Sequence, residues 1–194
     1  MYEFVVPPHS LIVSERNEAG KAHLEVAYPD GAHCIVWFLE KTGYFQFLQG
    51  DKDADGIFFV CHSDDRVDAY IIECKKTMTN SSWEQAKKQL QESLTKVLAI
   101  AGVLGIEINR VCLGAAFRES RLDSTTDPEP RVAVGVLDMD PADTSNTQIN
   151  ARARELAEWR TGEVKLRGFA KPFPLTKIQL DPQTGHGSYA LPNP

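Results

Sequence analysis

The architecture of this 194-residue chain follows from two segments, Asp55-Gly-Ile-Phe-Phe-Val-Cys61 and Ala69-Tyr-Ile-Ile-Glu-Cys-Lys75. Both are short, apolar and rich in β-branched or aromatic residues, which is typical of strands buried in a sheet. The polar residues 62–66 between them indicate a turn, so we expect the two strands to pair as a hairpin. In that pairing Asp55, at the start of the first strand, lies beside Glu73, near the end of the second.

A long amphipathic helix is predicted directly after this hairpin. Its apolar positions recur every three or four residues from Trp83 to Leu104, so one face is expected to be buried. Ser81 and Glu84 have the spacing of a capping box at its start, and two glycines mark its end. Residues 108–117 then read as a strand. Before the hairpin, 44–48 reads as another strand, and 33–40 fits either a strand or a short buried helix.

The flanks add further structure to this core. A hairpin is predicted from residues 11–15 and 23–28. After the core we expect a polar loop over 119–130, a strand at 131–137, a helix at 147–159, and strands at 164–169 and 175–180. The prediction is one α/β domain over residues 1–194 with a central mixed sheet. It consists of an N-terminal β-hairpin (1–30), a core of order β-β-β-α-β (31–117) and a C-terminal α/β extension (118–194).

Composition and charge narrow the classes of protein. No apolar run approaches the roughly 20 residues that a membrane span needs, and the four cysteines have no CxxC spacing. The N-terminus does not resemble a secretory signal, so we expect a cytoplasmic protein with reduced thiols and no membrane partner. The net charge is −6, divided into −9 for residues 1–150 and +3 for residues 151–194. An acidic protein that bound nucleic acid would need a local basic patch, and we expect a homo-oligomer or a protein partner.

The acidic residues of the hairpin suggest a metal-binding site. Residues two apart in a strand share a face, so Glu73 and Lys75 project together and Cys74 points to the opposite side. With Asp55 alongside, two carboxylates at one end of the sheet make a hard-oxygen site that suits Mg²⁺ or Mn²⁺. A neighbouring lysine could position an attacking water and offset developing negative charge on a phosphate.

Asp55 and Glu73-x-Lys75, followed by the helix and strand, resemble the PD-(D/E)XK superfamily with its restriction-endonuclease-like fold. The resemblance implies that Asp55 and Glu73 hold a divalent metal, that the main-chain carbonyl of Cys74 joins them, and that Lys75 activates water. Many members place a glutamine on the following helix, for which Gln85 and Gln89 are candidates; Gln85, one turn from the capped helix start, is the expected site residue. Many also use an earlier glutamate, for which Glu40 is the available residue.

The resemblance implies a metal-dependent nuclease that hydrolyses phosphodiesters in DNA or RNA, with DNA favoured. Small proteins of this superfamily serve in phage defence or in mobile elements, which the resemblance extends to this chain as an expectation. The alternative is a catalytically silent protein of the same fold that acts as a protein-binding or nucleic-acid-binding subunit of a larger assembly.

A second motif overlaps the same segment. Asp51-x-Asp53-x-Asp55-Gly56 matches the first half of a calcium-binding EF-hand loop. The twelfth position is His62 instead of the usual bidentate glutamate, and strands, not helices, flank the segment. A calcium site therefore stands as an alternative, and the additional carboxylates could instead raise the negative potential near the proposed metal.

Basic residues supply the candidate nucleic-acid surface. The candidates are Lys76, Lys87, Arg152, Arg154, Lys165 and Arg167. The last two are expected on one face of a strand, where nearby phenylalanines would allow backbone contacts and base stacking. The alternative is a solvated helix face on which Glu155 and Glu158 pair with the arginines.

Overall fold

The computed structural model describes residues 2–3, 10–15, 22–37, 53–62, 66–122 and 144–192. These residues form two β-sheets and two helices. The strands are β1 (Tyr2–Glu3), β2 (Ser10–Ser14), β3 (His23–Ala27), β4 (His33–Trp37), β5 (Gly56–Cys61), β6 (Val67–Met78), β7 (Ile108–Ser120), β8 (Glu163–Val164), β9 (Phe173–Gln179) and β10 (His186–Ala190). The helices are α1 (Asn80–Leu104) and α2 (Thr144–Thr161).

The larger sheet has seven strands in the order β1-β4-β5-β6-β7-β9-β8. Strand β6 lies at its centre, antiparallel to β5 and parallel to β7, and α1 makes the connection from β6 to β7. The expected α/β class with a mixed sheet is therefore confirmed. The chain order β4-β5-β6-α1-β7 has the expected three strands, helix and strand. Its first strand is the ambiguous segment that begins at residue 33, and the predicted strand at 44–48 lies outside the described residues.

The smaller sheet has the order β10-β3-β2. Strands β2 and β3 are antiparallel, with Leu11 opposite Val26, which confirms the N-terminal hairpin. Strand β10 joins β3 in parallel and was not predicted, because the last dozen residues are rich in glycine and proline and β10 has no apolar run. Its partner strand supplies the pairing that its own sequence does not indicate.

The two sheets and the helices form three layers, because β6 is apolar on both faces. Ala69 and Ile71 pack under α1, while Tyr70, Ile72 and Cys74 pack against the smaller sheet. This alternation is the pattern of a strand covered on both sides. Glu73 and Lys75 continue the α1 face, so Cys74 points to the opposite layer as expected.

The start of α1 differs from the prediction. The N-cap is Thr79, whose side chain accepts a hydrogen bond from the Ser82 amide, and the Ser82 hydroxyl accepts one from the Thr79 amide. The expected capping box of Ser81 and Glu84 is therefore wrong by two residues, because β6 runs directly into the helix. At the other end Gly105 has φ 68°, a left-handed conformation that favours glycine.

The C-terminal extension departs further from expectation. The helix predicted at 147–159 spans Thr144–Thr161, but the strand predicted at 164–169 is limited to the two residues of β8. Lys165 and Arg167 therefore lie in the connection to β9 and not on a strand face. The loop predicted from residue 119 begins later, since β7 continues to Ser120, and residues 123–143 lie outside the described residues. The single domain over 1–194 stays a prediction.

The sequence predicts reduced cysteines and contains no apolar run long enough to span a membrane. All four cysteines are free thiols, of which Cys34 and Cys74 are buried and the other two partly buried. Neither helix in the described part of the chain is long and apolar enough to cross a membrane.

Candidate active site

Asp55 and Glu73 are in contact where β5 begins. The β5–β6 register pairs Gly56 with Ile72, so the residues just beyond this pair face each other. The Asp55 amide donates to Glu73 Oε2 at 3.2 Å, and the Cys74 amide donates to Asp55 Oδ2 at 2.9 Å. The expected juxtaposition of the two carboxylates is therefore present, and main-chain amides hold both of them.

Lys75 completes this group. It shares the α1 face with Glu73, forms an ion pair with Glu73 Oε1, and donates to Gln89 Oε1 at 3.0 Å. Its side chain is 15% exposed, whereas Glu73 is fully buried. The structure thus brings Asp55, Glu73 and Lys75 into one hydrogen-bonded cluster with the Lys75 ammonium at its edge.

The electrostatics of Glu73 are unusual. Burial, and then the nearby charge of Asp55, raise the pKa of Glu73 to about 8, although Lys75 and the Asp55 amide act in the opposite direction. Desolvation disfavours the charged form of a carboxyl group, and a like charge adds to that effect. A carboxyl group whose pKa lies close to neutrality, beside a lysine, is a typical feature of functional sites.

The structure selects a different glutamine from the one that was preferred. Gln85 is exposed, whereas Gln89 contacts Lys75 and also donates from Nε2 to the Asp53 carbonyl at 3.1 Å. The two residues are four positions apart, about one helical turn, so they lie on the same side of α1. The start of the helix at Thr79 does not alter this relationship. Gln89 is therefore the glutamine of the cluster, and the placement of Gln85 is corrected.

Further polar residues of α1 reach the same segment, and the sequence did not single them out. The Ala54 amide donates to Ser93 Oγ at 2.8 Å, and Lys96 forms an ion pair with Asp53. Lys96 is buried, although lysine is almost never fully buried unless it is paired. The only signal in the sequence is the spacing of Gln89, Ser93 and Lys96, which places them on one side of α1.

A third carboxylate approaches from the smaller sheet. Glu15 directly follows β2 and is partly buried, and burial followed by the charge of Asp55 raises its pKa. Its Oε2 atom is buried and has no hydrogen-bond partner among the described residues. Lys75, Lys76 and Arg118 are the cations whose charges act on it in the opposite direction. Sequence analysis missed Glu15, because only the stacking of the two sheets brings it near Asp55.

The donor set fits a hard divalent cation with few protein ligands. Within the described ranges, no group of three or more His, Cys, Asp or Glu side chains is arranged to hold a metal. Mg²⁺ is commonly bound by one or two carboxylates and retains several waters, so Asp55 and Glu73 are the residues that could hold it. The N–H and C=O groups of one strand residue point to the same side of the strand. Because the Cys74 amide points toward Asp55, the Cys74 carbonyl is directed toward Asp55 as well.

The overlapping calcium motif does not form a loop around one point. Asp53 pairs with Lys96, Asp55 accepts from the Cys74 amide, and His62 lies 3.0 Å from Asp68 at the far end of β5. Asp51 lies outside the described residues. The described members of the motif thus have separate partners, which argues against the EF-hand alternative.

The basic candidates do not form one surface around this cluster. Lys76 is exposed on β6 next to Lys75, but Lys87 pairs with Glu158 of α2. Arg154, Lys165 and Arg167 are exposed, and the side chain of Arg152 lies outside the described part. The Arg167 amide donates to Gln91 Oε1 at 2.9 Å, which fastens its loop to α1. Since Gln89 and Gln91 are two positions apart on a helix, that loop and the acidic cluster lie on different sides of α1.

The pairing of Lys87 with Glu158 also corrects the alternative for α2. The alternative had Glu158 pair with arginines of its own helix, whereas in the structure Glu158 forms an ion pair with Lys87 of α1. The ion pair therefore joins the two helices, and Lys87 is engaged within the protein fold.

Comparison of the chain with protein-family models, with curated proteins and with solved structures finds no significant match. The resemblance to the PD-(D/E)XK superfamily consequently depends on Asp55, Glu73, Lys75 and the order of the surrounding elements. The function has to be argued from the geometry of this cluster.

Proposed function

We propose that this protein is a Mg²⁺- or Mn²⁺-dependent phosphodiesterase that cleaves nucleic acid, with β4-β5-β6-α1-β7 as a restriction-endonuclease-like core. The observation that carries the proposal is the contact of Asp55, Glu73 and Lys75 in one partly buried cluster. Chance placement of these three residues in sequence would not require them to meet in space. DNA is the favoured substrate, as the resemblance implies.

Each member of the cluster has a role that its surroundings support. Asp55 and Glu73 would hold the cation, together with the Cys74 carbonyl. A bound divalent cation would stabilise negative charge on the phosphate and lower the pKa of water. Lys75 is partly exposed, whereas Glu73 is fully buried, so Lys75 is placed to orient a water molecule at the mouth of the cluster. Gln89 holds the Lys75 ammonium from the side of α1.

The burial of Glu73 supports cation binding in a further way. Burial, and then repulsion from the charge of Asp55, raise its pKa to about 8, so the folded protein disfavours a negative charge on Glu73. A divalent cation would remove this repulsion, because an opposite charge within a few ångströms favours the ionised form. Cation binding should therefore be stronger as the pH rises toward and above 8.

A cleavage assay tests the proposal. Plasmid, linear duplex DNA, single-stranded DNA and RNA are incubated with Mg²⁺, Mn²⁺, Ca²⁺ or EDTA. Cleavage is expected with Mg²⁺ or Mn²⁺, and it should be lost with EDTA and in Glu73→Ala, which should remain folded by circular dichroism. Lys88→Met is the matched control, since Lys88 is exposed and pairs only with Glu84 among its described charged neighbours. Cleavage that persists in Glu73→Ala would reject the assignment.

One observation favours the second candidate, a catalytically silent subunit. Both carboxylate oxygens of the buried Glu73 already accept hydrogen bonds from the protein, one from the Asp55 amide and one from Lys75. A cluster that satisfies itself in this way could serve the fold alone. Titration of the wild-type protein with Mn²⁺ distinguishes the candidates, because a purely structural cluster should bind no Mn²⁺ and Glu73→Gln should then change only stability.

A further inference from the structure

We infer that Ser93 and Lys96 of α1 are positioning residues of this site, which hold residues 53–54 so that Asp55 stands beside Glu73. The inference deepens the proposed function and rests on it for the catalytic consequence. It concerns two residues that lie outside the Asp-Glu-Lys pattern and that act through Asp55.

Ser93 holds residues 53–54 through a hydrogen bond to the main chain of Ala54. Its side chain is fully buried and its hydroxyl accepts from the amide of Ala54, which is itself buried. Among the described residues, β4 pairs with β5 from Phe58 onward, so Ala54 lies four residues before the first such pair. A buried amide has to be hydrogen-bonded, and at Ala54 a helix side chain provides an acceptor.

Lys96 and Gln89 hold the preceding residue. Lys96 pairs with the Asp53 carboxylate, and Gln89 donates to the Asp53 carbonyl. The Lys96 side chain is 9% exposed, and burial of a lysine is costly unless a counter-charge accompanies it. Gln89, Ser93 and Lys96 follow each other at spacings of four and three, so one stripe of α1 makes all these contacts.

The stripe and β6 together hold three consecutive residues. Asp53 and Ala54 are bonded to α1, and Asp55 is bonded to β6 through its amide and its carboxylate. Loss of the contacts between α1 and residues 53–54 should let residues 53–55 move, because the regular strand begins only at Gly56. Asp55 would then leave the Cys74 amide, although the hydrophobic core under α1 would remain.

The catalytic consequence follows from the sensitivity of reaction rates to position. A displacement of about 1 Å at a reacting centre can reduce the rate about 100-fold. We expect Ser93→Ala and Lys96→Met to bind Mn²⁺ about tenfold more weakly and to lower kcat roughly 10-fold to 100-fold, with little change in KM. Ser93→Thr retains the hydroxyl and should recover much of the lost activity.

The experiment compares each variant with a control on the same helix. Thr95→Ala removes an exposed hydroxyl that bonds to the Gln91 carbonyl, and Lys88→Met removes an exposed ammonium. Isothermal titration with Mn²⁺ alone measures the metal affinity, and amide hydrogen exchange measures the local structure without metal. The Cys74 amide, which donates to Asp55, is expected to exchange faster in Ser93→Ala and Lys96→Met. The Val97 amide, in the middle of α1, should keep its wild-type exchange rate.

The outcomes separate this inference from the proposed function. Wild-type exchange at Cys74 in both variants would overturn the positioning role, whatever the metal does. If Cys74 and Val97 exchange faster together, the residues stabilise the whole fold and the specific role is also rejected. If the wild-type protein binds no Mn²⁺ and cleaves nothing, the proposed function fails and the catalytic consequence fails with it, while the exchange at Cys74 still decides whether Ser93 and Lys96 place Asp55.

Discussion

Asp55 and Glu73 are held together by reciprocal hydrogen bonds between their segments: the Asp55 amide donates to the Glu73 carboxylate, and the Cys74 amide donates to the Asp55 carboxylate. Two carboxylates in contact repel each other when both are ionised. Burial, and then the charge of Asp55, raise the pKa of Glu73 to about 8, although the Lys75 ammonium and the Asp55 amide act in the opposite direction. This relationship makes the cluster sensitive to pH and to added cations.

The stability of the protein should depend on the protonation of Glu73. Its pKa is about 8 in the folded protein and 4.5 is the ordinary value, so the folded state retains a proton that the unfolded chain releases. The corresponding stabilisation is complete below about pH 4.5 and is lost as the pH rises through 8. Glu73→Gln removes this titration. Between pH 4.5 and 8 its free energy of unfolding should therefore rise relative to that of the wild type, by about a few kcal/mol in total. Melting temperatures at pH 5, 6, 7 and 8 in EDTA test this, and parallel curves for the two proteins would contradict it.

Lys75 should contribute to the rate more than to the affinity for metal. Lys75→Met keeps the aliphatic stem but removes the ammonium that pairs with Glu73 and Gln89. Loss of a residue that activates water typically reduces the rate about 100-fold to 10,000-fold. We expect kcat to fall within that range while Mn²⁺ still binds, because the carboxylates remain. Steady-state kinetics and Mn²⁺ titration measure the two effects, and a variant that cleaves at the wild-type rate would exclude Lys75 from the reaction.

The two glutamines of α1 offer a direct comparison. Gln89→Ala removes the contacts to Lys75 and to the Asp53 carbonyl, whereas Gln85 is exposed. A hydrogen bond to a charged group is worth about 1.5–3 kcal/mol, which corresponds to roughly a 10-fold to 100-fold loss of activity. Gln85→Ala should have a much smaller effect on kcat. If Gln85→Ala proved the more damaging substitution, the placement of the helix against β6 would be wrong.

Gly56 should be intolerant of a side chain. A Cβ atom there would lie 2.7 Å from both Val13 Cγ1 and Cγ2. Val13, and with it the smaller sheet, would have to shift away from β5. Overpacking of this kind costs about 1–3 kcal/mol, and Gly56→Ala should lower the melting temperature accordingly. A second substitution, Val13→Ala, should restore part of the loss by making space.

Gly102→Ala serves as the control for Gly56→Ala. An added Cβ at Gly102 in α1 meets nothing within 4 Å, and alanine is the better helix former by about 1 kcal/mol. Gly102→Ala is therefore expected to raise the melting temperature. Equal effects of the two substitutions would contradict the close packing of β2 over the start of β5.

The sequence was sufficient to predict the β5–β6 hairpin and the long helix, because both follow from local periodicity. The alternation of Ile71, Glu73 and Lys75 with Cys74 assigns each side chain to one face of a strand, whatever covers that face. The boundaries were less well predicted. Thr79, which directly follows β6, caps helix α1, and its partner Ser82 is not the glutamate or glutamine by which a capping box is recognised in a sequence.

Contacts between distant segments account for the errors in the C-terminal third. The stretch after Glu163 alternates like a strand, but β9 pairs with β7 and with only two residues of β8. Loop 165–172 is instead fastened by Gln91, a helix residue more than 70 positions earlier. Alternation indicates a strand only where a neighbouring strand provides hydrogen bonds, and that partner is not encoded nearby.

The local sequence placed two carboxylates and a lysine at the end of a hairpin, because antiparallel pairing and a two-residue side-chain period require it. It could not indicate that Ser93 and Lys96 would be buried, since serine and lysine on an amphipathic helix are usually solvated. Nor could it indicate the raised pKa of Glu73 or the approach of Glu15, both of which arise when the helix covers one face of β6 and the smaller sheet covers the other. Burial and long-range charge depend on which layers meet, and that is a property of the packed fold.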